Sequence, residues 1–84
     1  MPRFFFNIRK TDGELVRDPE GTILRSLRAA RLEAVESVHD LRHQYRDDAA
    51  RDDMENWAIE VANASGLLWR LPFSDVPFRT IPWQ

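Results

Sequence analysis

Residues 26–46 read Ser26-Leu27-Arg28-Ala29-Ala30-Arg31-Leu32-Glu33-Ala34-Val35-Glu36-Ser37-Val38-His39-Asp40-Leu41-Arg42-His43-Gln44-Tyr45-Arg46. Advancing about 100° per residue from Leu27 brings Leu27, Ala30, Ala34, Val38, Leu41 and Tyr45 within about 80° of one another. Such a stripe predicts an amphipathic helix over 27–46, about 30 Å long. Ser26 is the expected N-cap, with Thr22 as the alternative. Ala30 and Ala34, at the centre of the stripe, allow the helix to lie close on a sheet.

The flanking segments supply that sheet. In Arg3-Phe4-Phe5-Phe6-Asn7-Ile8-Arg9, Phe4, Phe6 and Ile8 share one parity, which predicts a strand with one buried face. Phe5 places an aromatic ring on the polar face. Thr11-Asp12-Gly13-Glu14 signals a hairpin, since Gly13 tolerates positive φ. A short strand follows from Glu14 to Arg17. The length of the turn decides whether Leu15 or Val16 points inward. Asp18-Pro19-Glu20-Gly21 is a turn: Asp suits its first position, Pro presets φ at the second, and Gly fits the fourth.

Beyond the helix, the polar, acidic residues 47–55 read as a loop. Asn56 to Ala62 alternates again, with Trp57, Ile59 and Val61 on one side. Asn63-Ala64-Ser65-Gly66 is a second turn. Leu67 to Phe73 is the fourth strand, with Leu67, Trp69, Leu71 and Phe73 on one parity and Pro72 at its end or at an edge. Pro77 and Pro82 keep the tail 74–84 out of helix and central strand.

The expected fold is therefore an α+β two-layer domain in the order ββαββ. One long helix covers one face of a four-stranded, mainly antiparallel sheet. The second and third strands run parallel through a right-handed crossover, in the sheet order 2-1-3-4. Residues 1–75 form the domain, and 76–84 are an apolar, proline-containing C-terminal tail.

A chain of 84 residues allows one domain with a stability of about 4–13 kcal/mol. It holds 12 basic and 14 acidic residues and no cysteine. This arithmetic rules out a multidomain enzyme, a disulfide scaffold and a membrane span, and yields no activity. The slight acidity argues against nucleic acid as a partner. The N-terminal apolar run is too short for a signal peptide, and a cytoplasmic protein is the expectation.

Several pieces resemble a known family. They are the opening Met1-Pro2-Arg3-Phe4-Phe5-Phe6-Asn7-Ile8-Arg9, the turn Asp18-Pro19-Glu20-Gly21-Thr22 and the helix start Ala29-Ala30-Arg31-Leu32-Glu33-Ala34. The ending Ile59-Glu60-Val61, Gly66 and Leu71-Pro72-Phe73-Ser74-Asp75 joins them. Together they resemble a family of small bacterial domains of unknown function, abundant in rhizobia-like alphaproteobacteria. Its members begin Met-Pro-Arg-Tyr-Phe-Phe and carry Asp-Pro-Glu-Gly. The resemblance covers residues 1 to about 75. It implies the ββαββ order and a bacterial cytosol, and supplies no activity. Asn7 stands where a His is common in the family, so no role of that His carries over.

Three constellations carry groups suited to chemistry. Glu36, His39 and His43 lie on one helical side with a zinc-compatible spacing, but no further strong ligand is near in sequence, and no metal or other cofactor is expected. Arg28, Arg31, Arg42 and Arg46 flank one edge of the apolar stripe. That edge is a phosphate-binding candidate, or a fringe of stems lying over a core. Asp47, Asp48, Asp52 and Asp53 lack the glycine and the spacing of a calcium loop. All three glycines are assigned to turns, and no nucleophile–base pair is visible, so catalysis is not expected.

Apolar surface is the remaining anomaly. The second face of the sheet receives Phe5, Leu68, Ala58 and one of Leu15 or Val16. The tail adds Val76, Phe78, Ile81 and Trp83. One helix covers only one face, so either the tail folds over the other or a second chain does. The expected function is a non-enzymatic protein-interaction module, partnered by another protein or by its own copy in a homo-oligomer such as a dimer. Phe5, Leu68, Phe78, Ile81 and Trp83 are its contact residues. The alternative is a nucleic-acid-associated regulator using the Arg edge.

Overall fold

A computed structural model describes residues 1–46, 49 and 51–79. Strand β1 spans Arg3–Arg9, β2 Leu15–Val16 and β3 Thr22–Ile23. Helix α1 spans Leu27–Gln44, and a single helical turn, α2, spans Arg51–Met54. Strands β4 (Ala58–Asn63) and β5 (Gly66–Pro72) follow, then a 3₁₀ turn at Phe73–Asp75. The sheet is antiparallel in the order β2-β1-β4-β5, with β3 also on β1. This is the predicted α+β architecture and strand order, with β3 added.

Strand β3 was not anticipated because its two residues carry no periodicity of their own. It pairs at Arg3↔Ile23 and Phe4↔Thr22, while β2 pairs at Ile8↔Val16 and Arg9↔Leu15. The outer edge of β1 is thus lined by two short pieces with Asp18-Pro19-Glu20-Gly21 between them. The register settles the open choice at the hairpin: Val16 shares the helix side with Ile8, and Leu15 shares the open side with Arg9.

Ser26 caps α1, its hydroxyl accepting the Ala29 N–H at 3.1 Å. Ala30, Ala34 and Val38 are fully buried, so the helix seats on the sheet along its predicted stripe. They join Phe4, Ile59, Val61 and Leu71 in one core. Trp57 and Phe73 meet there edge to face, with centroids 6.1 Å apart.

Two expectations are corrected. The segment 47–55 is not all loop, because α2 turns Met54 into the core, where it is fully buried. Leu67 does not join the inward parity of Trp69 and Leu71. A β-bulge shifts the register, so that Val61 faces Trp69 while Ala62 faces Leu67. The extra residue moves Leu67 to the open face, where it is 60% exposed.

Val76 is also buried in the core. From Phe73 to Arg79 the described part of the tail lies on the helix layer, held by Arg42 and Glu36 of α1. Through Arg79 it does not cover the open face of the sheet. Among the described residues, no helix is long and apolar enough to cross a membrane.

Candidate interaction surface

Alternation along β1 and β4 decides what the open face carries. Phe5, Asn7 and Arg9 stand opposite Ala62, Glu60 and Ala58, and Glu60 stands opposite Arg70 of β5. Glu60 sits on the central strand β4, flanked by an arginine from each neighbouring strand. Its Oε2 accepts from Arg9 Nε and from Arg70 Nη1, both at 3.1 Å, and its Oε1 accepts from Arg9 Nη2 at 3.3 Å. Two cations on one buried carboxylate leave this triad net positive. The hydrogen bond to Glu60 holds the Arg9 guanidinium above its ordinary pKa.

Beside the triad lies a hollow of about 680 Å³ lined by Phe5, Asn7, Leu15, Arg17, Ala62 and Leu67, among others. Asp18 forms one wall. Its Oδ1 accepts from Gly21 N at 3.1 Å, and its backbone N–H donates to Asn7 Oδ1 at 2.8 Å. The buried amide of Asn7 is thereby oriented by the Asp-Pro-Glu-Gly turn. Apolar walls around a few placed polar groups suit recognition.

The predicted contact residues divide between two layers. Phe5 is half-buried on the open face, and Leu68 is 39% exposed beside Leu67. Ala58, also expected there, is buried in its shallow row. Phe78 is 59% exposed on the helix layer, its ring centroid 4.0 Å from the Arg42 guanidinium carbon. Ile81 and Trp83 lie outside the described residues.

The predicted arginine edge is not a continuous surface, and this corrects it as a four-residue site. Arg42 is only 8% exposed. Its Nε and Nη2 bind the Glu55 carboxylate at 2.9 and 2.7 Å, and it also donates to Phe73 O and Pro77 O. These bonds occupy its donor fork, which is therefore not presented to a phosphate. Arg31 lies over the Trp69 ring, 5.1 Å from its centroid. Arg28 and Arg46 are exposed.

Glu36, His39 and His43 are not gathered into a ligand set. Glu36 accepts from Arg79 Nη2 at 2.7 Å, and this bond holds its carboxyl below the usual value. Among the described residues, no three acidic or histidine side chains are placed to hold a metal ion. Asp47 and Asp48 lie outside the described residues. Asp53 accepts from Thr11 Oγ1 at 2.9 Å and from Trp57 Nε1 at 3.3 Å.

Sequence reasoning missed the triad of Arg9, Glu60 and Arg70. A signal was present: each occupies the polar parity of its strand, and the order 2-1-3-4 makes those strands neighbours. The Asn7–Asp18 bond had no such signal, because a side chain reaching a backbone group across 11 residues leaves no period.

No curated protein and no solved structure matches the chain. One family does, and over the stretch that builds the surface, from the first residue of β1 through β5 to Ser74: the chain belongs to the family described as a domain of unknown function (DUF6894), which matches residues 3–74.

Proposed function

We propose that this domain is a cytoplasmic, non-enzymatic protein-interaction module that self-associates through the open face of its sheet, on the side where Leu67 and Leu68 project. One observation carries the reading. The face opposite α1 presents Phe5 and Leu67 around a charged triad, Leu68 next to Leu67 is exposed, and among the described residues the tail packs on the other layer. Burying one large apolar side chain completely contributes about 1.5–3 kcal/mol. Two leucines and a phenylalanine from each copy therefore supply a favourable contribution that works against the ordering cost of association.

Sedimentation of the wild-type chain at micromolar concentration is expected to show a dimer or larger. Phe5→Lys with Leu68→Lys should give a folded monomer. A wild-type chain that remains monomeric overturns the reading. Duplex DNA is expected to bind no more tightly than about 10⁻⁴–10⁻⁶ M, the non-specific range. Tighter binding, lost in Arg28→Glu with Arg46→Glu, would favour nucleic acid as the partner.

A further inference from the structure

The hollow on the open face holds a polar group that the fold does not use. Asn7 is 8% exposed. Its Oδ1 accepts the Asp18 N–H at 2.8 Å. An N–H must meet an oxygen, so this bond fixes which end of the amide is which, and Nδ2 is the other end, with protons to donate. Among the described residues no acceptor meets Nδ2, and no buried side-chain nitrogen or oxygen is left without a partner. Nδ2 therefore reaches solvent, through the hollow of about 680 Å³ that Asn7 lines. The charges around that hollow are unevenly committed. Asp18 and Glu60 both line it, but their carboxylates are engaged. Asp18 accepts from the backbone N–H groups of Phe6, Glu20 and Gly21, and Glu60 accepts from Arg9 and Arg70. Arg17 shares the parity of Leu15, is exposed, and is the one cation among the described lining residues. Its guanidinium makes no ion pair or hydrogen bond with any described residue.

We propose that this hollow binds a small organic monocarboxylate that carries an apolar body and a neutral carbonyl oxygen. Arg17 at the rim takes the carboxylate, as a charge-assisted donor. One unpartnered cation matches a monoanion and not a polyphosphate. A cationic ligand is disfavoured, because both carboxylates are already engaged and the neighbouring triad is net positive. Asn7 Nδ2 takes the carbonyl oxygen. Asn7 stands directly opposite Glu60, so a second carboxylate at the floor would face the first, whereas a neutral acceptor does not meet that repulsion. Phe5, Leu15 and Leu67 flank the apolar body. The volume lies within the range of about 300–1,000 Å³ usual for small-ligand clefts. An N-acyl amino acid with an apolar side chain has all three parts. The site goes beyond self-association and does not depend on it.

N-acetyl-leucine and N-acetyl-phenylalanine are the probes, titrated into the full chain while backbone amide shifts are followed by NMR. Ligands of this size bind in the millimolar range at about −0.3 kcal/mol per non-hydrogen atom, so the titration extends to about 10 mM on that scale. Saturable shifts are expected at Asn7, Arg17, Ala62 and Leu67. The corresponding carboxamides, which lack the charge, should bind about 2–5-fold more weakly, the worth of an exposed charge pair. Arg17→Gln should weaken the acids by the same factor and leave the carboxamides unchanged. Asn7→Asp keeps an oxygen for the Asp18 N–H and puts an acceptor where Nδ2 stood, so it should weaken both by about tenfold or more. The Arg17→Gln result, at an exposed position, stands whether or not Asn7→Asp folds. Shifts that do not saturate, shifts that saturate away from the hollow, or acids and carboxamides that bind wild type equally overturn the proposal. Sedimentation of the same samples reports self-association separately. A monomeric chain that binds the acids overturns only the self-association reading, and a dimer that does not bind them overturns only this site.

Discussion

Asp18 Oδ2 accepts the Phe6 backbone N–H at 3.2 Å, at the rung of β1 that neither β2 nor β3 reaches. A side chain thus completes an edge that the backbone leaves interrupted. The same carboxylate accepts from Gly21 N at 3.1 Å through Oδ1. The Asp-Pro-Glu-Gly turn is therefore part of the sheet and also a wall of the hollow, so its integrity sets the shape of the candidate interaction surface.

Asp18→Ala removes the acceptor for Phe6 N–H and for the turn. An unsatisfied, partly buried donor costs about 1–3 kcal/mol, and the variant should lose stability in that range. Urea unfolding measures it. Asp18→Asn, which retains an acceptor oxygen, should lose less.

Gly21 has φ of 70°, and a Cβ there would stand 2.7 Å from Phe4 O and 2.9 Å from the Phe5 ring. Gly13 has φ of 90° and nothing within 4 Å. Gly13→Ala should cost only left-handed backbone strain, about 1–2 kcal/mol. Gly21→Ala should cost clearly more, because β1 must give way at Phe4. Comparing the two melting temperatures isolates the steric part.

Arg42 joins α1 to Glu55 and to the backbone of Phe73 and Pro77. Breaking a buried ion pair by removing one partner costs about 3–5 kcal/mol. Glu55 is partly exposed and can recover water, so Arg42→Ala should cost about 2–3 kcal/mol on that scale. Amide exchange should accelerate from Phe73 to Arg79 before it does in the sheet. Uniform acceleration would show that Arg42 supports the core as a whole and not the tail in particular.

The Glu36–Arg79 pair predicts a local pH effect. Its carboxyl is held below the ordinary value by the Arg79 hydrogen bond. A lowered folded-state value stabilises above the unfolded one, and that contribution disappears as pH falls through the folded value. The window therefore begins near the ordinary glutamate value of about 4.3 and extends below it. An NMR titration should show the Glu36 midpoint rise in Arg79→Gln. Both side chains are exposed, so the melting temperature at neutral pH should not change measurably.

Much of the architecture is legible in local pattern. The α1 stripe through Ala30, Ala34 and Val38, the Ser26 cap and the strand parities of Phe4 and Ile59 follow from periods that a few consecutive residues express. So does the order of the main strands, since one helix between two hairpins leaves few ways to cover a sheet. The candidate surface is legible in part: the parity of β1 puts Phe5 on the open face with Asn7 and Arg9, whereas the bulge breaks the parity on which the reading of Leu68 rests.

Other features depended on partners distant in the chain. Leu67 changed faces because of a bulge, a slip of one residue that preserves composition and defeats any count by parity. Met54 is core because α2 makes one turn, too short to show a period. Arg42 reads as a fringe cation on the helix, yet it is buried because Glu55 and the carbonyls of Phe73 and Pro77 converge on it from elsewhere. Arg9 and Glu60, 51 residues apart, meet only because β1 and β4 pair in one register. Periodicity records what each residue does along its own element. The meeting of charges and the bulge arise between elements, where only the tertiary structure brings the atoms within a few ångströms.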